Sequence, residues 1–430
     1  MAILVKPVVS EKMTDLSEKL NRYGFVVSVT ANKIEIKKAV EKAYGCYIED
    51  INHNKYIDTA LGSGTHILGH SPEVIMDSIH KQLKKGVLYC AHNSHTYEVA
   101  ELIKQCVPST VDSVVFCNTG SEATMRAARI ARAYSTKKKI AIFSGSWHGG
   151  NELFVYDHDY HSNDYSTQHK SAGIPDDFKN NVIVLPYNHN DAFDLIKKNK
   201  HDIAMVIIEP SQGSNPRDDM REFLTRLKNV TSKYEIILCF DEMITGFRIG
   251  YGGCQEYYNI EADLVTYGKT VGGGLPIGVV AGRKEIMSVI NGDSKSLPVF
   301  MGGTFSANPL TMQVSKTLLT YLYTNKDKVY PHLNNMGNYL KSEVNKFCSD
   351  TNKNAQMIGI GSMLRLVHTK SYINSKRERD DLESNESEKF YNNLLLKEYV
   401  FVNGNRLVLL SMAHTKKIVD EIINSFKKYL

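Results

Sequence analysis

An α/β architecture, a mostly parallel sheet covered on both faces by helices, is predicted by three features of this 430-residue chain. Short apolar runs recur along it: SVVFC (113–117), KIAIFS (139–144), NVIVLPY (181–187), AMVIIEP (204–210), EIILCFDE (235–242) and ADLVTYGK (262–269). Helical patterns fall between them, an alanine-rich one from about Glu122 to Tyr134 and an amphipathic one from about Asp218 to Tyr234. Several runs close on polar residues, which places those groups at the carboxyl ends of the strands, where parallel sheets bind ligands.

The composition, 42% hydrophobic and 23% charged, is that of a globular chain long enough for more than one domain. No apolar run approaches the roughly 20 residues of a membrane span. The opening MAILVKPVVSEK is too short and too soon charged for a signal peptide. Seven scattered cysteines without a CxxC pair argue against a disulfide framework or structural zinc, and a cytoplasmic location is expected. The formal charge of +5 does not itself call for nucleic acid. Residues 1–45 hold eight Lys/Arg and five Asp/Glu, however, and so carry most of that excess.

The first helical pattern is SPEVIMDSIHKQLKK (71–85). Ser71 is placed to cap it, Pro72 suits the first turn, and Val74, Ile75, Ile79 and Leu83 make one apolar stripe. Two stretches read as surface loops. Residues 157–177 are polar and aperiodic, as in a flap over a site; their HxxH spacing (His158, His161) lacks the partners of a metal site. Residues 369–388 are charge-rich and read as solvated. From about Pro331 helical and strand patterns mix, as in a smaller second domain closing on a short helix.

Four motifs carry chemistry. In NTGSEAT (118–124), Gly120 and Ser121 open a helix whose free N–H groups and positive dipole end suit a phosphate, although the same turn also serves as a plain helix start. Asp241 ends an almost wholly apolar strand, so its carboxylate needs a partner. The next helix, Arg248 or the protonated nitrogen of a bound ring could each supply one. Trp147, the only tryptophan, stands among glycines in SWHGG (146–150), where a loop could lay its face on a flat ligand; a core position is the alternative. His148 beside it reads as a hydrogen-bonding neighbour of the site. Finally, VTYGKTVGGGLPIG (265–278) sets Lys269 at a strand end. A lysine there can form an imine with an aldehyde if its amine is kept partly neutral; the alternative is a surface lysine. Gly272, Gly273 and Gly274 would let backbone approach a ligand closely and adopt positive φ. A phosphate cradle, a ring-nitrogen acid, an aromatic lid and an imine-forming lysine are together the four needs of pyridoxal phosphate.

From about Cys46 to its end the chain resembles the class III, fold-type-I aminotransferases of the glutamate-1-semialdehyde aminomutase-like group. Collinear matches include YIDTALGSGTHILGH, NTGSEATMRAARIAR, WHGG, FDEMITGFR, TYGKTVGGGLPIG, GGTFSANPLTM and LSMAHT. The resemblance implies a pyridoxal-phosphate-binding large domain over 46–325, with 46–85 packing on the small domain, and a small α+β domain over 326–430. It implies Lys269 as the Schiff-base lysine, Asp241 at the pyridine nitrogen, Gly120 and Ser121 at the phosphate, and Trp147, commonly Tyr in the family, on the ring. Glu209 and Gln212 of EPSQG match positions near the cofactor, Gln212 at the ring hydroxyl. Thr304 of GGTFSANP is implied to reach the phosphate of a neighbouring subunit in a homodimer. The implied activity moves an amino group from a small-molecule donor to a keto or aldehyde acceptor by ping-pong half-reactions.

Two departures bear on the substrate. Aminomutases carry an SQFEA-like segment before LSxAHT, where this chain has VNGNRLVLLSMAHT (402–415). EPSQGSNP and GGGLPIGVVAG are closer to aminotransferases embedded in polyketide and peptide synthases, which act on carrier-bound chains. A stand-alone aminotransferase with a free or carrier-bound acceptor is therefore expected, with glutamate-1-semialdehyde 2,1-aminomutase as the alternative. Residues 1–45 resemble the first half of the bacterial large-subunit ribosomal protein twenty-three. Half a fold buries too little to stand alone, so a leader without RNA function is expected; a ribosome- or RNA-associated module is the non-enzymatic alternative.

Overall fold

The structure, a computed structural model, describes residues 4–7, 25–27, 45–89, 91, 93–107, 111–158, 165–292, 296–382 and 385–430, with 4–7, 25–27 and 385–386 described by backbone alone. Seven strands form the central sheet: β1 (Ser113–Cys117), β2 (Lys139–Phe143), β3 (Val182–Leu185), β4 (Ile203–Ile208), β5 (Ile237–Asp241), β6 (Leu264–Gly268) and β7 (Gly278–Gly282). Their order is β1-β7-β6-β5-β4-β2-β3, and all run parallel except β7, which is antiparallel to both neighbours. The six apolar runs of the sequence are the six parallel strands. The seventh, GVVAG, is bracketed by glycines and too short to stand out as an apolar run.

β4 and β5 are buried at every position. Side-chain alternation splits them between two cores: Val206, Ile208, Leu238 and Phe240 face one layer, and Met205, Ile207, Ile237 and Cys239 the other. The alanine-rich pattern forms a helix over Gly120–Ser135 whose Ala123, Ala127 and Ala131 lie flat on the second layer. The amphipathic pattern forms a helix over Arg221–Lys233, shorter than its sequence pattern at the start, that buries Phe223, Leu224 and Leu227.

The early helix spans Glu73–Leu83, and Pro72 rather than Ser71 holds the N-cap position, without a side-chain cap. Its buried face is Ile75, Ser78 and Gln82; Leu83, expected in the stripe, is exposed. The helix lies against Pro309–Thr324, and Ser78 Oγ bonds Thr317 Oγ1 at 2.9 Å.

Strand Lys55–Asp58 lies between Tyr47–Glu49 and the distant Val400–Phe401. A three-stranded antiparallel sheet (Gln356–Ile360, Met363–Val367, Val408–Leu409) is covered by the helices Lys326–Asp350 and Lys416–Tyr429, with Leu340, Val344, Ile422 and Phe426 in its core. The charged stretch 369–388 is a correction to the sequence reading. It contains helix Lys376–Leu382 and the start of helix Asn385–Lys397, and it is anchored rather than solvated: Arg217 donates to the carbonyls of Ile373 and Asn374, and Arg379 donates to that of Ser214. In the expected flap, Tyr156–His158 and Thr167–His169 pair antiparallel; 159–164, with His161 of the HxxH spacing, lie outside the described residues. His158 Nε2 bonds the Val184 carbonyl at 3.0 Å.

Most of the ribosomal-protein-like segment also lies outside the described residues; its Leu4–Pro7 and Phe25–Val27 pair antiparallel. Among the described residues no helix is long and apolar enough to cross a membrane, and no cluster of His, Cys, Asp and Glu is placed to hold a metal ion.

Candidate active site

The carboxyl ends of β2, β4, β5 and β6 and the amino end of the Gly120–Ser135 helix enclose a cleft of about 660 Å³. Gly120, Ser121, Trp147, His148, Glu209, Asp241 and Lys269 all line it. They come from five separate chain segments, brought together because each ends or follows a parallel strand at the same edge of the sheet.

Asp241 closes β5 and is 3% exposed. Its Oδ2 lies 2.6 Å from His148 Nδ1, and its Oδ1 accepts from Thr266 Oγ1 and the Met243 N–H, both at 3.1 Å. Arg248, one partner considered from the sequence, is instead fully buried and donates to the carbonyls of Gly64 and Leu410 and to Ser362 Oγ. His148 is fixed through Asp241 on one ring nitrogen, while its Nε2 is buried and unpartnered.

Lys269 follows β6 with φ +44, in the left-handed region that a lysine rarely adopts. Such strain persists only where surrounding structure imposes it, commonly at functional sites. Among the described residues no group hydrogen-bonds its Nζ. Burial pulls its ammonium pKa below the usual lysine value; Asp241 and Glu209 oppose that shift, and the Arg248 charge adds to it. The amine is thereby eased toward its neutral, nucleophilic form.

Two of the three glycines after Lys269 adopt positive φ, as the sequence predicts: Gly273 (+56) and Gly274 (+107). Of the stretch from Lys269 to Gly278, only Lys269 and Ile277 line the cleft. Gly273 (φ +56) ends the short turn Lys269–Gly272 against the Pro309–Thr324 helix, where an added Cβ would stand 2.8 Å from Val314. An added Cβ at Gly272 would stand 2.9 Å from Ile277, and one at Gly274 3.0 Å from His66, so each missing side chain makes room for a protein neighbour.

Gly120 and Ser121 begin a 16-residue helix whose N-cap is Thr119, its side chain accepting from the Glu122 N–H. Ser121 Oγ accepts from the Gly150 N–H at 3.1 Å, tying this turn to the SWHGG loop. Trp147 is 62% exposed, a loop residue on the cleft wall. Its N–H donates to Glu209 Oε1 at 2.8 Å, and Glu209 Oε2 accepts from the Gly213 N–H at 3.0 Å. Burial raises the Glu209 carboxyl pKa above its ordinary value.

Two expected site residues do not line the cleft. Gln212 is wholly buried behind it, donating to Ser144 O and Ser146 Oγ at 2.9 Å, with its Oε1 unpartnered. Thr304 lies on an exposed segment outside it. Conversely, Ser63, Lys170, Lys376 and Asn405 line the cleft without having been singled out in the sequence. Lys376 sits in the stretch read as solvated, whose buried Ile373 and Arg379 set it apart from an ordinary charged surface.

Pyridoxal phosphate fits these residues. The cleft offers an unpaired amine, a buried carboxylate on the adjoining strand, a helix amino end for a phosphate, and Trp147, Ile244 and Ile277 as apolar surface.

The chain belongs to the class III aminotransferases, pyridoxal-phosphate-dependent enzymes of fold type I: residues 28–388 match the family described as Aminotransferase class-III. That match begins inside the first 45 residues. Among its relatives, the glutamate-1-semialdehyde 2,1-aminomutase of Alkaliphilus oremlandii (strain OhILAs) is 34% identical over 397 residues, covering 91% of this chain and 90% of that protein. The same enzyme of Methanobrevibacter smithii is 36% identical over 382 residues, 87% of each. Among solved structures, an omega-transaminase from Sphaerobacter thermophilus superposes with a TM-score of 0.81 at 29% identity, over 90% of this chain and 89% of that one.

Proposed function

We propose that the chain transfers an amino group between a small-molecule amino donor and a keto or aldehyde acceptor by ping-pong half-reactions, with Lys269 and Asp241 as its catalytic residues. The observation that carries this reading is that Lys269 and Asp241 stand at the ends of adjacent parallel strands and line one cleft. Bound pyridoxal phosphate supplies an electrophilic carbonyl and an electron-accepting ring. Lys269 would hold it and, with its amine freed, move a proton at the substrate carbon. Asp241, kept in place by His148, Thr266 and the Met243 N–H, would keep the ring nitrogen protonated. Gly120 and Ser121 would take the phosphate and Trp147 the ring face. Glu209, bonded to the Trp147 N–H, sets the lid's position, and Gln212 braces the loop beneath it. The test is reduction of the purified protein with borohydride followed by peptide mapping. A cofactor fixed on Lys269 is expected; a colourless protein that takes up no added cofactor would overturn the reading.

A second reading, glutamate-1-semialdehyde 2,1-aminomutase, is supported by the relatives at 34–36% identity that carry that name. Internal migration leaves no keto by-product from a separate donor, so product analysis with single donors separates the two.

A homodimer is part of the proposal. The segment around Thr304 exposes Leu297 (92%), Phe300 (74%) and Phe305 (60%), an apolar stretch suited to a partner copy. The domain division at 45 and 325 and a cytoplasmic setting complete the reading. Residues 1–45 are read as a leader without RNA function; RNA retention that falls steeply with salt and disappears on their deletion would reverse that.

A further inference from the structure

We infer that Lys376 and Lys170 form an anion subsite at the mouth of the cleft, so that the substrate carries a second negative group, a carboxylate or a phosphate, remote from the reacting carbon. The inference rests on the aminotransferase reading. Both lysines line the cleft, and both converge on the Gly145–Trp147 loop. Lys170 Nζ donates to the Ser146 carbonyl at 3.2 Å. The stem of Lys376 lies over Gly145 so closely that an added Cβ would stand 2.6 Å from the Lys376 Cβ; Gly145, at φ +77, is the residue that admits it. The loop and the Lys376–Leu382 helix are braced through Ser214, whose hydroxyl donates to Gly145 O at 2.9 Å and whose carbonyl accepts from Arg379. The cations are thus held at the rim and do not simply sweep through solvent.

Their charge is only partly offset. Asp380 is shared between Lys376 and Arg379. Asp157, 3.6 Å from Lys170, already accepts from Ser144 Oγ and the Gly145 N–H. The other cleft carboxylates, Glu209 and Asp241, are buried and bonded below the rim. An anionic group entering beside Trp147 therefore meets two donors with spare hydrogens.

The test uses the pyridoxal-phosphate-loaded enzyme and matched amine donors ending in a carboxylate, a phosphate monoester or an uncharged amide. Preference for the charged donors is expected, and comparing carboxylate with phosphate identifies the source. Lys376→Gln should raise KM for the charged donors about tenfold with kcat little changed, leave the amide donor unaffected, and weaken calorimetric binding of unreactive glutarate and inorganic phosphate. Lys376→Arg should restore them, and Lys170→Gln should act in the same direction. Equal effects of K376Q on charged and uncharged donors, or anion binding untouched by both Gln variants, would overturn the inference. A protein that takes up no cofactor would instead overturn the reading beneath it.

Discussion

The two ends of the central sheet carry hollows of nearly equal size, about 660 Å³ at the carboxyl ends of the parallel strands and about 620 Å³ at the opposite end. The second is lined by Lys137, Lys228, Asp263 and Arg283, as rich in charge as the first. Those charges already have partners: Lys228 lies 2.7 Å and Arg283 3.4 Å from Asp263, and Lys137 donates to the carbonyls of Tyr234 and Glu235. In the first hollow Lys269 bonds no described group, His148 Nε2 is buried unpartnered, and the lysine backbone is strained. Volume and charge do not distinguish a site from a surface dent. Chemistry held in reserve does.

The comparison can be broken by substitution. Lys269→Ala should lower the rate of amino transfer about 10⁴-fold and abolish borohydride fixation of the cofactor, measured by steady-state rates and mass spectrometry. Asp241→Asn should lower it about 10³-fold, with folding intact by circular dichroism.

Glu242, buried just behind Asp241 and not itself in the cleft lining, tests the electrostatics of that edge. Burial raises its carboxyl pKa to about 7 against the bonds it accepts from Cys254 N, Thr245 Oγ1 and Gln255 N. A raised folded pKa means that the native state binds this proton more tightly than the unfolded chain. The penalty of the buried charge is therefore full above about pH 7 and fades toward the unfolded value of 4.5. Thermal melts of the wild type and Glu242→Gln from pH 5 to pH 8 should show the wild type losing up to about 3 kcal/mol relative to the variant as pH rises. At the opposite hollow, Lys228→Ala should cost at most about 1 kcal/mol in the same melts and leave the rate within about twofold.

The parallel strands were legible because each is a short run of apolar residues, buried at every position in β4, β5 and β6, and Asp241 and Lys269 because each breaks such a run at its carboxyl end. Strand Gly278–Gly282 was not, since its apolar residues Val279, Val280 and Ala281 make too short a run between glycines and pairing with two antiparallel neighbours makes it a strand. Helix Lys376–Leu382 was hidden because its buried group is an arginine, whose burial depends on the Ser214 carbonyl some 165 residues earlier in the chain. At Ser71 and in the glycines after Lys269, residue type named a local option, a cap or a positive φ; Pro72 took the cap position, and Gly273 and Gly274 took the positive φ against neighbours the sequence does not name.

One pairing has a consequence for how the protein is made. Strand Lys55–Asp58 lies against Val400–Phe401, and Thr59 bonds the Phe401 carbonyl 342 residues away. During synthesis that edge of the strand waits, unpaired, while the ribosome adds nearly all the remaining chain, a long exposure for a segment that could join another nascent copy. Emergence of Val400–Phe401, rather than completion of the central sheet, is what covers this edge.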